Sequence, residues 1–291
     1  MSKIVLISIN GKRLKSGEEL FFAHGFHYGD NAFEGIRFYT TRKGIAIFCL
    51  EEHVKRLLFS AKSIGIKSKF NKPKIIHEIK KLVKESKLKE GYIRPLIFSK
   101  GGLGINNSNL KADVVIIVVP FKHDYKMEVS ADFSSIKRIS PSSTNIKAKI
   151  SGNYINSVLA IKEVRKRNFD EAILLDEKGF ISEGAVQNIF FVKKKTLYTP
   201  RENFIFPGIT REIVFEISKK FKLKVIKTNI SKEEVNNFDE AFFVGTASGV
   251  VPLFRIGKKK FENKISLLIR DEYEKIVHGE DKSWEHKLTF C

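Results

Sequence analysis

Lys147-Ala-Lys-Ile-Ser-Gly-Asn-Tyr154 is the stretch that decides how this chain is read. It sets Lys149 between a small-polar loop, Ser140-Pro-Ser-Ser-Thr-Asn145, and an apolar helical pattern that starts near Tyr154. Most of the other 40 lysines stand in charged runs that read as solvated surface. A lysine among small residues at a loop-to-helix junction is placed to sit in a cleft with its ammonium partly desolvated. Desolvation favours the neutral amine, which is the form that attacks a carbonyl carbon. One such lysine is weak evidence alone, and its weight depends on what else the chain carries.

A chain of 291 residues is long enough for one large domain or two moderate ones, each with its own core. No apolar run approaches the ~20 residues that span a bilayer. The apolar start Ile4–Ile9 ends in Asn10-Gly11, a hairpin signal, so it reads as a first strand rather than a signal-peptide core. Cys49 and Cys291 stand far apart with no metal-ligand spacing around them, so neither a disulfide framework nor a metal site is expected. A cytoplasmic location follows as the expectation, with no membrane partner. The net charge of +20 invites a nucleic-acid reading. However, Lys outnumbers Arg 41 to 12, and the lysines are spread along the whole chain. Runs such as Lys193-Lys-Lys195 and Lys258-Lys-Lys260 fit hairpin turns, and no nucleic-acid partner is expected.

Strand and helix signals alternate throughout. Gly44–Leu50, Tyr92–Ser99 and Ala112–Val119 read as strands, and Glu51–Ile64 as a helix with Val54, Leu57, Leu58 and Ala61 at helical spacing. Pro73–Lys87 is a helix with proline in its first turn. Beyond residue 126, helices are expected at Ser151–Arg167, Thr210–Lys222 and Ser266–Val277. Strands are expected at Ala172–Leu175, Asn188–Val192, Leu197–Thr199, Leu223–Thr228 and Glu240–Gly245, and Asp176-Glu-Lys-Gly179 turns into Phe180–Ser182. The pattern predicts an α/β (α+β) chain of two domains meeting at a cleft: residues 1–120, a linker at 121–126, and a lysine-bearing domain at 127–291.

Four further features suit a phosphate-bearing cofactor. Arg56 flanks the apolar stripe of the first helix and can pair with a phosphate bidentately. Pro207-Gly-Ile-Thr-Arg211 opens a helix, with Thr210 as N-cap candidate, and a helix start offers free N–H groups and the positive dipole end. Gly245-Thr-Ala-Ser-Gly249 follows a strand, and its backbone N–H groups can form an anion nest. Glu183 ends a hairpin strand where a carboxylate needs a cationic partner, and a protonated pyridine nitrogen is one. An amine, two phosphate cradles and a carboxylate for a ring nitrogen together describe a pyridoxal 5'-phosphate site.

The chain also resembles the class-IV (fold-type-IV) pyridoxal-phosphate aminotransferases, and among them the branched-chain aminotransferases. The resemblance runs nearly end to end and in order. It is carried by His27-Tyr-Gly29, Phe33-Glu-Gly-Ile-Arg37, Glu52-His-Val-Lys-Arg-Leu57, Tyr92-Ile-Arg-Pro95, Lys149-Ile-Ser-Gly-Asn-Tyr154, Ile181-Ser-Glu-Gly184, Pro207-Gly-Ile-Thr-Arg211 and Gly245-Thr-Ala247.

The resemblance implies a two-domain fold with the cofactor at the domain interface. It also implies transamination between a branched-chain L-amino acid and 2-oxoglutarate through a Schiff base on Lys149, which would then move the proton between Cα and C4′. Glu183 would pair with the ring nitrogen and Tyr154 with O3′. Arg56, Thr246 and the backbone N–H groups of Ile209 and Thr210 would bind phosphate, and the Thr246–Ala247 turn the substrate carboxylate. Tyr28, Phe33 and Gly35 would line an apolar side-chain pocket, beside Tyr92 and with Arg94 at its rim for the distal carboxylate of glutamate. Leu103 and Ile105 would reach into a neighbouring subunit's site, which implies a homodimer or a higher homo-oligomer.

Departures from the family pattern fall around substrate choice. Gln187 stands where the branched-chain enzymes usually have a second glutamate. A Glu there is expected to favour 2-oxoglutarate or glutamate. Gly245-Thr-Ala continues as Ser248-Gly249 rather than Ala-Glu, and Tyr125 matches the family's interdomain-loop tyrosine only after a small gap. D-amino-acid aminotransferases and aminodeoxychorismate lyases share the fold and the cofactor residues, so both remain alternatives.

Overall fold

The computed structural model describes residues 6–13, 23–100, 104–105, 111–122 and 129–291. The chain forms two compact units: Met1–Lys122 with Ala148–Gly152 and Ile276–Cys291, and His123–Lys147 with Asn153–Lys275. This division differs from the expected one, since Lys149 belongs with the first unit and not with a continuous 127–291 domain. The cause is backbone pairing. Ile150 bridges Ala32, the Phe33 N–H donates to the Lys149 carbonyl (3.0 Å), and the Gly152 N–H donates to the Gly29 carbonyl (2.9 Å). At the other end of the chain, Leu288–Phe290 extends the sheet by pairing with Gly44–Phe48. Most of the expected linker (123–126), together with Tyr125, lies outside the described residues.

The first unit is an antiparallel sheet in the order 288–290, 44–48, 36–41, 91–100, 111–120, 6–9, 12–13, with 31–33 also paired to 91–100. The helices Leu50–Ser63 and Lys72–Ser86 cover one face. Val54, Leu57 and Ala61 of the first, with Ile75, Ile79 and Leu82 of the second, pack on Ile36, Phe38, Ile93, Ile97 and Val118. Each buried Val, Leu or Ile side chain contributes roughly 1.5–3 kcal/mol. The second helix starts where its sequence predicts, with the Asn71 side chain accepting from the Lys74 N–H (3.1 Å) and proline in the first turn. Alternation along Gly91–Lys100 buries Ile93 and Ile97 under the helices and turns Tyr92 and Arg94 to the opposite face.

The second unit is a mixed sheet in the order 181–184, 171–175, 129–133, 249–256, 240–245, 188–193, 196–200, 224–228. Helix Ile155–Arg165 packs Ala160 and Val164 on Ala172 and Leu174. Glu240 fixes the start of helix Lys264–Val277 by accepting from Ile265 N–H, Ser266 N–H and the Ser266 hydroxyl at 2.7–2.8 Å. Strands 31–33, 36–41, 249–256 and 288–290 were not anticipated. Pro252 argues against an interior strand, yet 249–256 pairs on both sides, antiparallel to 240–245 and parallel to 129–133. Among the described residues no helix is long and apolar enough to cross a membrane.

Candidate active site

The first unit gathers its expected residues on and around the face of its sheet opposite helices Leu50–Ser63 and Lys72–Ser86. The ring of Phe33 carries the Arg94 guanidinium 4.7 Å from its centroid and Lys149 Nζ at 5.0 Å. Arg94 Nη2 donates to the Tyr92 hydroxyl (2.7 Å), while Arg94 Nε is buried without a hydrogen bond. Gly35 is required by this packing, because a Cβ there would fall 2.0 Å from the Tyr92 hydroxyl oxygen. Register places Arg37 opposite Tyr92. Arg37 is buried between the rings of Tyr39 (4.5 Å) and Phe121 (4.9 Å), and its Nε also lacks a hydrogen bond. Tyr28 ends the short helix His24–Tyr28, half exposed against His24. Ile105 is exposed, and Leu103 lies outside the described residues.

Lys149 is held through its backbone: its N–H donates to Ser60 Oγ (2.9 Å) and its carbonyl accepts from Phe33. Beneath it lies a buried charged cluster. Arg56 Nε and Nη2 reach the two oxygens of Glu34 at 2.5 and 2.9 Å, and His53 Nδ1 stands 2.8 Å from Glu34 Oε2. The bidentate partner of Arg56 in the structure is therefore a carboxylate, which takes the guanidinium edge expected for a phosphate. A phosphate on Arg56 must be met away from that edge.

Burial alone would push the Glu34 carboxyl up. The adjoining Arg56 charge and the hydrogen bonds from Arg56 and His53 overcome it and hold the carboxyl far below its ordinary range. Burial pushes His53 down, helped by the charges of Arg56 and Lys149 and opposed by Glu34. His53 is thus a neutral imidazole donating Nδ1–H to an ionised Glu34. Removing Arg56 would leave the buried Glu34 charge without its cation, which costs about 3–5 kcal/mol.

Folded His53 binds a proton less readily than the unfolded chain, so stability falls as pH drops below about 6.5. The depressed Glu34 carboxyl adds a further loss at more acid pH. Melting temperature is expected to decline from pH 7 to pH 5, and His53→Gln to flatten the upper part of that decline. An unchanged slope in the variant would remove His53 as its source.

In the second unit the Glu183 carboxylate, buried at the end of strand Ile181–Gly184, accepts hydrogen bonds from a side-chain cation, an amide and a backbone N–H. They are Arg138 Nε (2.6 Å), Asn188 Nδ2 (2.9 Å) and the Phe206 N–H (3.0 Å). Arg138 is thus a cationic partner of Glu183 in the structure. Asn188 Nδ2 also donates to the Phe206 carbonyl (2.9 Å), tying the strand to the loop before helix Ile209–Lys220.

That helix starts one residue earlier than expected. Gly208 is its N-cap, and Thr210 is buried inside the first turn instead of capping it. A Cβ at Gly208 would lie 2.0 Å from Asn188 Oδ1, so the helix start carries no capping side chain. Arg211 is fully buried, bonded to the Pro200 carbonyl (2.9 Å) and packed over Phe215 (4.8 Å), so it anchors the helix. Tyr154 closes the 3-10 turn Ser151–Tyr154. Thr246, Ala247 and Ser248 form a tight hairpin turn between paired Gly245 and Gly249, and Gly249 adopts a left-handed φ of 62°.

Sequence reasoning assigned no role to Glu34, Arg37, His53, Arg138 or Asn188. A signal for one of them existed: His53 stands three residues before Arg56 on one helix face, so the two can reach one partner.

The amino-transferase class IV family profile matches residues 31–256. The branched-chain-amino-acid aminotransferase of Pseudomonas aeruginosa is 34% identical over 243 residues, 81% of this chain and 79% of that protein. Among solved structures, the T.th. branched-chain amino acid aminotransferase complexed with N-(5'-phosphopyridoxyl)-L-glutamate superposes with a TM-score of 0.95. It is 33% identical over 100% of this chain and 99% of its own. The branched-chain aminotransferase from the thermophilic archaeon Thermoproteus uzoniensis, with norvaline, gives 0.94 at 32% identity, covering 99% of each chain.

Proposed function

The chain belongs to the class IV amino-transferases, enzymes that use pyridoxal phosphate, and we propose that it moves the amino group between a branched-chain L-amino acid and 2-oxoglutarate. The observation that carries the substrate choice is the Phe33 ring flanked by Lys149 and Arg94. An apolar wall there lies beside the half-buried Arg94, whose buried Nε has no hydrogen bond. Such a surface suits leucine, isoleucine or valine and also a distal carboxylate.

The donor sets suit the cofactor. The first unit supplies a primary amine and a guanidinium, and the second a fixed carboxylate and a helix start free of any capping side chain. When bound, pyridoxal phosphate supplies an aldehyde carbon that exchanges amines and a ring that withdraws electrons from the substrate Cα.

This chain's residues do the rest. Lys149 Nζ would hold the cofactor and would carry the proton taken from the substrate Cα. Glu183, oriented by Arg138, Asn188 and the Phe206 N–H, holds the proton on the ring nitrogen. Tyr154 donates to O3′. Arg56, the N–H groups of Ile209 and Thr210, and Thr246 bind phosphate. The Thr246–Ala247 turn takes the substrate carboxylate. Tyr28, Phe33 and Gly35 line the side-chain pocket beside Tyr92 and Arg94. Leu103 and Ile105 serve a second copy of the chain, which makes the working form at least a homodimer.

The test is a half-reaction panel of L- and D-amino acids on the purified holoenzyme, followed by cofactor absorbance. L-Leucine, L-isoleucine, L-valine and L-glutamate are expected to convert the cofactor, and D-amino acids to leave it unchanged. Faster conversion by D-alanine than by L-leucine would move the assignment to the D-amino-acid branch. Inertness to every amino acid offered would move it to the lyase branch.

A further inference from the structure

Two of the positions that depart from the family pattern, Gln187 and Ser248, are hydrogen-bonded to each other in the second unit. Ser248 Oγ donates to Gln187 Oε1 (2.5 Å), and Gln187 Nε2 donates to Glu171 Oε2 (3.1 Å). The Gln187 side chain crosses Gly245 on the way, its Cγ 3.3 Å from where a Cβ at that glycine would lie. Its backbone is fixed as well, since the Gly184 N–H donates to the Gln187 carbonyl (2.7 Å). Glu171 is anchored by its own strand, Oε1 accepting from the Ala172 N–H (2.9 Å). The amide is thus used at both ends, its N–H toward a carboxylate and its carbonyl toward a hydroxyl.

We propose that Gln187 is a positioning residue that ties the 246–248 turn to Glu171, and that Glu171 is what requires a neutral amide at position 187. The consequence for function rests on the reading of that turn as the seat of the substrate carboxylate. A Glu at 187 faces Glu171 across the same 3.1 Å, as two acceptors with no proton between them. One of the pair must then bind a proton or the two must move apart, and moving apart releases Ser248 and the turn. The expectation that Gln187→Glu favours 2-oxoglutarate is therefore reversed: the substitution loosens the carboxylate seat for every amino donor.

Around Glu171 the facing groups are Arg165 from helix Ile155–Arg165, the Ala172 and Ala185 N–H groups, and Gln187. Burial already pushes the Glu171 carboxyl up against these four. A second carboxylate raises its proton affinity further. A raised folded-state value means stability is present at low pH and lost as pH rises through it.

The experiment compares wild type, Gln187→Glu, and Gln187→Glu with Glu171→Gln as holoenzymes. The readouts are steady-state kinetics with the best amino donor from the half-reaction panel and thermal melting, each at pH 6 and pH 8. Gln187→Glu is expected to raise KM for the donor roughly tenfold at pH 8, more than it lowers kcat, and less at pH 6. Its melting temperature, relative to wild type, is expected to fall between pH 6 and pH 8. Glu171→Gln in the same chain restores both, because the amide now sits at 171 and donates to the new carboxylate.

A single variant that matches wild type in KM and in its melting profile at both pH values overturns the proposal. So does a double variant no better than the single. The melting arm needs no substrate: a pH-dependent loss without a KM effect would keep the Glu171–Gln187 pairing and overturn the role assigned to the turn. If Gln187→Glu fails to fold, a double variant that folds supports the pairing, and one that also fails overturns it.

Discussion

Lys149→Ala is expected to lower transamination by more than ~10⁴-fold while leaving the protein folded. The variant is expected to fold because the backbone of Lys149 joins its segment to the sheet. The N–H is held by Ser60 Oγ, the carbonyl by the Phe33 N–H, and Ile150 pairs with Ala32. Alanine keeps all three. What is removed is the only primary amine assigned to covalent attachment and to proton movement between Cα and C4′, so both roles are lost at once. Borohydride treatment separates this from a binding defect. It should leave the cofactor covalently fixed to the wild-type chain and removable from the variant by dialysis. His53 provides an internal check: the Lys149 charge helps to hold it neutral, so the alanine variant should titrate His53 at a higher pH by NMR. Turnover within tenfold of wild type would place the reactive amine elsewhere.

Much of the architecture is written in local pattern. The helix expected at Glu51–Ile64 is observed at Leu50–Ser63, and the one at Pro73–Lys87 at Lys72–Ser86. Both carry a full apolar stripe that only a helix can bury on one side. The Asn10-Gly11 turn has both residues at positive φ, as the sequence signal requires. Asp176 Oδ1 accepts from the Lys178 and Phe180 N–H groups to close the second hairpin.

What could not be read is pairing at a distance. No periodicity in 147–152 reveals that Ile150 bridges Ala32, so the segment bearing Lys149 was assigned to its chain neighbours. Capping failed at Thr210 for a similar reason. Threonine is the better cap by preference, but Asn188, brought from another strand, occupies the space beside Gly208 and selects glycine.

The site residues that carried a family motif were legible one by one. Their supports were not. Arg138 and Asn188 lie 45 and five residues from Glu183, and nothing local marks either as its partner. Glu34 was visible as part of Phe33-Glu-Gly, yet its meaning appears only with His53 and Arg56 around it: a buried carboxylate needs two donors, and one helix face supplies both.

Glu183→Gln carries the other large effect, and the donors around the carboxylate decide its size. Arg138 Nε, Asn188 Nδ2 and the Phe206 N–H are all donors, so a carboxylate satisfies every one and an amide cannot. The amide oxygen is expected to stay with Asn188 and Phe206, where two donors converge, leaving its NH₂ against Arg138. The buried guanidinium then loses its counter-charge, a change worth about 3–5 kcal/mol of stability. The same substitution removes the negative charge proposed to hold a proton on the ring nitrogen, and a lost electrostatic stabiliser of this kind lowers kcat by roughly 10²- to 10³-fold.

Arg138→Gln separates the two contributions: it disturbs the packing around Glu183 but keeps the carboxylate, so its kcat should fall far less than that of Glu183→Gln at comparable loss of melting temperature. Deuterium at the substrate Cα gives a second reading. With less charge stabilisation, proton removal becomes the slow step, and the isotope effect on kcat should grow in Glu183→Gln and stay near the wild-type value in Arg138→Gln. Equal kcat and equal isotope effects in the two variants would reduce Glu183 to a structural partner of Arg138 and send the ring-nitrogen role to another carboxylate.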